Sequence, residues 1–343
     1  MAEYEVEIVD KRDEWNGLVD RADYTTIFHE WDWLKAVEKH SNTKLYPLVV
    51  KKNSTSVAIF PVFVGKKLGL RFALSPPSKA IMVYLGPALI SHREMKQSKK
   101  ETALIESIKA VDNFLKKLEV DYVRIRTPPF LIDSRPFSWS GYSVFPQYTY
   151  VLNLEKELSK IWEDLDRSLR RSIEKSRQKG VDVREGGFED LEFVRLNMKK
   201  RFQEMGAKVP EDYYESYFKE LFEKYYPEKM RIFVAEYLQE LAGGIILLVH
   251  KDRVSYWFGM SKTTLKGVYP NDVLQWEAIK WSWESGFRYY EEIDAGDDPR
   301  LRHYKAKFNP ELVPWFSTSK NLSMLGKVGN TVYFSLKKLK GRF

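Results

Sequence analysis

The strongest constraint on the fold is the order of patterns between residues 230 and 296. Three β-rich runs, MRIFVAEYLQELAGGIILLVHKDRVSYWFGMS, are joined by tight turns. PNDVLQWEAIKWSWESG follows at helical spacing, with Pro270 before it and Gly286 after it, where helices favour these residues. FRYYEEIDAG then returns to a strand. Ahead of this block, YTYVLNL (148–154) reads as a strand and LSKIWEDLDRSLRRSIEKSRQKG as one helix stopped at Gly180. VDVREG reads as a strand, and FEDLEFVRLNMKKRFQEMG and EDYYESYFKELFEKYY as helices.

The first half runs in a similar order. YEVEIV alternates like a strand, WDWLKAVEKH reads as a helix, and two β-rich runs flank the turn-forming KKNSTS. IMVYLGPALI is expected as another strand, ended by Gly86 and Pro87. A long amphipathic helix carries Leu104, Ile105, Ile108, Val111, Phe114, Leu115 and Leu118 at helical spacing, and DYVRIRTPP is the strand after it. The repeated order implies a duplicated α/β unit with its boundary in the Ser, Gly and Pro-rich stretch 137–146. This gives domains 1–145 and 146–320, with a basic segment 321–343 that packs back on the first domain or trails as a tail.

Composition excludes several chemistries. With 343 residues, 43% of them hydrophobic and 15% aromatic, the chain holds enough apolar surface for about two cores. A net charge of +8 favours anionic partners without naming one. The absence of cysteine removes disulfides, thiolate nucleophiles and Cys metal sites. The five histidines are scattered, without metal-ligand spacing. No P-loop, dinucleotide glycine pattern or nucleophile elbow is present. A charged N-terminus and the lack of a long apolar run point to a cytoplasmic protein without stable membrane insertion.

Several segments together carry a family likeness. They are IFHEWDWLKAV, LRRSIEKSRQKGVDV, AGGIILLVHKDRVSYWFGMS, YPNDVLQWEAIKWSWESGFRYYEEIDAG and KAKF, in that order. The chain resembles the GNAT-type acyltransferases and, within them, the FemAB-like branch, which carries two such domains in tandem. The resemblance implies an α/β (α+β) chain of two GNAT-like domains, each a mixed, mostly antiparallel sheet flanked by helices. It further implies transfer of an acyl or aminoacyl group from a thioester or ester donor to an amine. No tightly bound cofactor is implied: acyl-CoA or aminoacyl-tRNA would be the co-substrate, and a small-molecule or peptide-like amine, or tRNA, the partner. In this family the phosphates lie near the start of the helix after the central strands, here LKGVYPND, so Lys266, Gly267 and Asn271 become donor-site candidates. Free N–H groups and the helix dipole favour negative charge at such a place, and Asn271 is expected to cap the helix. The usual GNAT pyrophosphate loop is missing, and so is the long helical arm of some tRNA-dependent relatives. The donor therefore stays open between the two.

The remaining candidates are weighed against plainer roles. Asp294, at the end of a strand, can deprotonate the incoming ammonium or merely start the turn at Gly296. The likeness implies, through the family's Lys-Phe element, that Lys305 or Lys307 stabilises an oxyanion or a donor phosphate, and that Tyr256 faces the cleft. On the helix after Pro299, Leu301, Tyr304 and Phe308 are expected to anchor the core with Lys305 at its edge. Arg170 and Arg171 lie on the basic side of the 158–179 helix and can grip phosphate or form an ordinary solvated face. His29 and Trp33 are expected to shape an acceptor pocket between the domains. The rival to an enzyme is a non-catalytic RNA- or tRNA-binding module on the same fold.

Overall fold

A computed structural model describes residues 4–78, 80–204, 211–262, 265–293, 296 and 298–328, without the side chains of 202 and 211–214. The chain divides into two compact units, one of residues 1–147 with 314–343, the other of residues 148–313.

In the first unit β1 (Tyr4–Ile8) leads to α1 (Arg12–Arg21) and α2 (Trp31–Ser41), then to β2 (Lys44–Lys52), β3 (Thr55–Lys67) and β4 (Leu70–Ser75). After the two-residue β5 (Ala88–Leu89) come α3 (Gln97–Lys117), β6 (Tyr122–Arg126) and the short α4 (Arg135–Trp139). The strands β1 to β4 pair antiparallel in sequence order. The long crossover through α3 then brings β6 back parallel to β4, Phe72 opposite Tyr122. Of the face predicted for α3, Leu104, Ile108, Val111 and Leu115 pack into the unit's core, Phe114 and Leu118 are partly buried against it, and Ile105 is half-buried. Removing each such side chain from water contributes roughly 1.5–3 kcal/mol. The expected strand 81–90 shrinks to β5, because its apolar residues are buried as irregular chain; Tyr84 and Leu85 are wholly shielded.

The second unit repeats this plan. β7 (Ser143–Asn153) enters it, and α5 (Leu158–Asp164), α6 (Arg167–Gln178) and β8 (Asp182–Glu185) follow. Then come α7 (Phe188–Glu204), α8 (Glu211–Tyr225), β9 (Met230–Tyr237), β10 (Glu240–His250) and β11 (Arg253–Ser261). α9 (Pro270–Glu284) crosses over to β12 (Tyr289–Glu292), and α10 (Pro299–Ala306) and β13 (Glu311–Asn321) end the fold. β8 to β11 form an antiparallel series, and β12 returns parallel to β11 with β7 antiparallel on its other side. From Pro314 on β13 belongs to the first unit, where its last residues pair with β6.

The predicted single helix 158–179 is broken. Leu165 adopts an extended conformation, and Asp166 caps α6 by accepting from the Ser168 N–H at 2.7 Å. The apolar stripe survives the break, for Leu165, Leu169 and Ile173 are all buried in the second core. Among the described residues, no helix is long and apolar enough to cross a membrane.

Candidate active site

The site begins where two parallel strands part. β11 and β12 pair over four positions, from Arg253 opposite Tyr289 to Tyr256 opposite Glu292. β12 stops there, whereas β11 runs on to Ser261, still bonded to β10. Beyond Tyr256 the β12-side edge of β11 has no ladder among the described residues. The register with β10 also slips here: Ile246 faces Phe258 and Leu247 faces Tyr256, which leaves Trp257 as a bulge. The Tyr256 ring folds back over Gly259, and a Cβ on that glycine would run into the Tyr256 hydroxyl. Only glycine accommodates that ring.

A cavity of about 650 Å³ lies at the ends of β11 and α6 and the start of α9. Arg171, Lys175, Lys262 and Lys307 give it a cationic wall. Lys262 is paired with Glu240 at 3.0 Å, but the other three have no ion-pair partner among the described residues. α9 starts at Pro270, so the positive end of its dipole lies beside this space. One carboxylate lines the wall: Asp272, which accepts from Ser172 Oγ at 2.5 Å. Burial raises the Asp272 pKa, against the Ser172 and Tyr304 hydrogen bonds and the Lys307 charge. Asn271 donates from Nδ2 to the Tyr304 hydroxyl at 2.8 Å, tying α9 to α10.

Behind Tyr304 lies a residue that sequence reading overlooked. Glu292 is wholly buried, and neither carboxylate oxygen has a hydrogen-bond partner among the described residues. Partners in a parallel register share a face, so its side chain stands beside that of Tyr256. Burial pushes its pKa up to about 7, although the nearby Lys305 charge pulls the other way. Lys305 is itself buried. Its Nζ donates to the carbonyl oxygen of Ile293 at 2.9 Å, lies 3.5 Å from that of Glu292, and sits 5.9 Å from the Tyr256 ring centre. The other strand-end acid behaves differently. Glu291 faces away and accepts from Arg253 at 3.4 Å and Ser255 at 3.2 Å.

Residues 164–306 match the family model of the acetyltransferase (GNAT) domain. That stretch lies within the second unit. The whole chain also matches solved structures. FemX superposes with a TM-score of 0.70 at 12% identity, over 91% of this chain and 96% of that one. A tandem GNAT protein from the clavulanic acid biosynthesis pathway gives 0.58 at 12% identity, over 94% and 99%. The L-PGS structure from Bacillus licheniformis gives 0.55 at 13% identity, over 97% and 98%. At these identities the likeness is one of fold, and the fold expected from the sequence, two tandem GNAT-like domains, is the one found. No curated protein matches the sequence.

The second unit brings some of the predicted residues together and separates others. Tyr256 and Lys305 meet across the β11–β12 pair. Arg171 and Asn271 line the cavity, while Arg170, one step round α6, does not. Asn271 is the second residue of α9, not its cap; that place falls to Tyr269, which makes no side-chain cap, and the Asn271 amide is engaged by Tyr304 instead. Lys266 is exposed on the turn before α9. Gly267 beside it has a φ of +66°, and a Cβ there would stand 3.5 Å from Lys175 Nζ. Leu301, expected in the core, is exposed, because the buried positions of α10 belong to Lys305 and, just after it, Phe308. Asp294 lies outside the described residues. In the first unit His29 and Trp33 are both fully buried. His29 Nδ1 accepts from the Thr26 N–H at 3.1 Å, and Trp33 packs edge-on to Phe28 at 5.1 Å.

Proposed function

We propose that this chain is an N-acyltransferase that moves an acyl or aminoacyl group from a phosphate-bearing donor to an amine. The observation that carries the reading is the cationic cavity at the start of α9, set beside the point where β11 outruns β12. Arg171, Lys175 and Lys307 suit a phosphate cluster, and the α9 dipole adds to their attraction. The unladdered edge of β11 offers N–H and C=O groups to an extended donor arm. The carbonyl to be attacked would then lie near Tyr256, within the field of the buried Lys305, which favours the charge developing on its oxygen. Most of the acceleration comes from holding donor and amine together.

Two donors satisfy this chemistry, acyl-CoA and aminoacyl-tRNA. The GNAT match favours the first, and the FemAB-like resemblance of the sequence admits the second. The test incubates the full chain with each donor class and an amine, following both melting temperature and acceptor-dependent loss of the donor bond. Stabilisation by one class together with amide formation is the expected result. Salt-sensitive tRNA binding with no transfer from either donor would overturn the reading in favour of an RNA-binding module.

A further inference from the structure

Exposed apolar side chains are ordinary when scattered and informative when gathered. Leu68 is 93% exposed, and Met324, Leu325 and Val328 are each at least 61% exposed. All four lie at one end of the first unit's sheet, drawn together by Asp121, the residue before β6. The Asp121 N–H donates to the Arg71 carbonyl oxygen, and its Oδ2 accepts from the Arg71 N–H, both at 2.8 Å. These bonds fix the base of the β3–β4 hairpin, and three residues of strand carry its tip, Leu68, roughly 10 Å beyond. On the other side the Asp121 carbonyl oxygen accepts from the Leu322 N–H at 2.8 Å, and Oδ1 accepts from Ser323 Oγ at 2.6 Å. Gly326 presses in so closely that a Cβ there would stand 2.1 Å from the Asp121 carbonyl oxygen. Ser323 and Gly326 thus take the inward side of the helical turn at 324–328, and Met324, Leu325 and Val328 are turned outward. The hairpin itself gives no reason for its leucine. Leu68 has a φ of +50°, which Asn, Asp or Gly adopts at less cost.

Cations surround these side chains. Lys66 and Lys67 precede Leu68, and Lys116 and Lys117 close α3, whose end is tied to the hairpin by Arg71 donating to the Leu118 carbonyl oxygen. All four lysines are exposed and have no ion-pair partner among the described residues. Glu119, the acid beside them, is paired with Arg71 at 3.6 Å. Past the described residues the sequence continues the mixture, with Lys337, Lys338, Lys340 and Arg342 set among apolar residues. We propose that this end of the first unit docks on an anionic membrane surface. Leu68, Met324, Leu325 and Val328 enter the boundary between headgroups and acyl chains, and the lysines meet lipid phosphates and carboxylates. Apolar insertion and attraction to anionic lipid reinforce each other, as in other peripheral anchors. Charge decides between occupants. A second copy of the chain would bring the same four lysines against these and be repelled, and a nucleic acid would leave the apolar side chains in water.

Cosedimentation of the full chain with vesicles tests this, comparing phosphatidylcholine alone with phosphatidylcholine containing about 30% phosphatidylserine. Binding should require the anionic lipid and weaken roughly tenfold when salt is raised to about 0.5 M. Leu68→Asp combined with Leu325→Asp should lower vesicle binding roughly tenfold or more. Lys66→Glu combined with Lys67→Glu should lower it by a similar factor. All four positions are exposed, so both variants should melt with the wild type. Binding that is equal on the two kinds of vesicle, or unchanged in either variant, overturns the proposal. So does a wild type that ignores anionic vesicles; self-association or RNA binding lost in the same variants would then assign the face to that partner.

Discussion

Tyr256 and Glu292 occupy the last rung of the parallel pair between β11 and β12, side by side on one face, and beyond them the two strands no longer bond. The geometry of this rung depends on Gly259, whose missing side chain makes room for the Tyr256 ring. Gly259→Ala should therefore cost activity more than stability. The added methyl meets Tyr256 and stands 2.8 Å from Ile245 Cγ2, and such overpacking costs about 1–3 kcal/mol. The expected outcome is a folded protein with a slightly lower melting temperature and at least a tenfold loss of transfer. Unchanged activity in a folded variant would show that the Tyr256 position is not used.

The cavity wall separates residues that adjoin in sequence. Arg171 lines it and Arg170 does not, although the two are consecutive on α6. A charge-assisted hydrogen bond to phosphate contributes about 1.5–3 kcal/mol, so Arg171→Ala should weaken donor binding roughly tenfold to hundredfold. Arg170→Ala should change it less than about twofold. Titration calorimetry with the true donor checks both, and equal effects would count against the cavity as the donor site.

Much of the architecture was legible because helical and strand periods are local properties. The α9 helix between Pro270 and Gly286 and the three strands before it fall where the pattern puts them. The site was less legible, and the reasons are physical. Arg171, Lys262 and Lys307 share one wall only because the first turns of α6, the end of β11 and the end of α10 come to the same place, and no sequence spacing records that. Glu292 was hidden in a pair. In EE at a strand end the two acids face opposite sides, and with both faces covered both are buried, one of them with Arg253 and one without a hydrogen bond. The strand-end pattern points instead to Asp294, two residues before Gly296. The break at Leu165 was masked because the apolar stripe continues through it.

The contrast between Phe308 and Leu301 tests which residues of the α10 region hold the second core. Phe308 is 2% exposed and Leu301 40%. Phe308→Ala should destabilise by about 3–5 kcal/mol, through lost burial and the cavity left behind. Leu301→Ala should cost under about 0.5 kcal/mol. Urea unfolding gives both values, and comparable losses would mean that α10 packs through its other face.

The buried Glu292 also makes stability depend on pH. Its folded pKa of about 7 stands above the ordinary 4.5, so the folded chain holds this proton more tightly than the unfolded one. The resulting stabilisation is complete below pH 4.5 and is lost as pH rises through about 7. The difference of about 2.5 units corresponds to roughly 3 kcal/mol at most. Glu292→Gln removes the titration, so the variant should lack this part of the decline between pH 5 and 8. Lys305→Met should act in the opposite sense on the same group. Lys305 lowers the Glu292 pKa, and without it the carboxyl holds its proton to higher pH. The decline in stability should then move to a more alkaline midpoint and become larger. Melting temperatures across pH 5–9 for the wild type and both variants decide the matter. A Lys305→Met midpoint at or below that of the wild type would mean that Lys305 does not act on Glu292 at all.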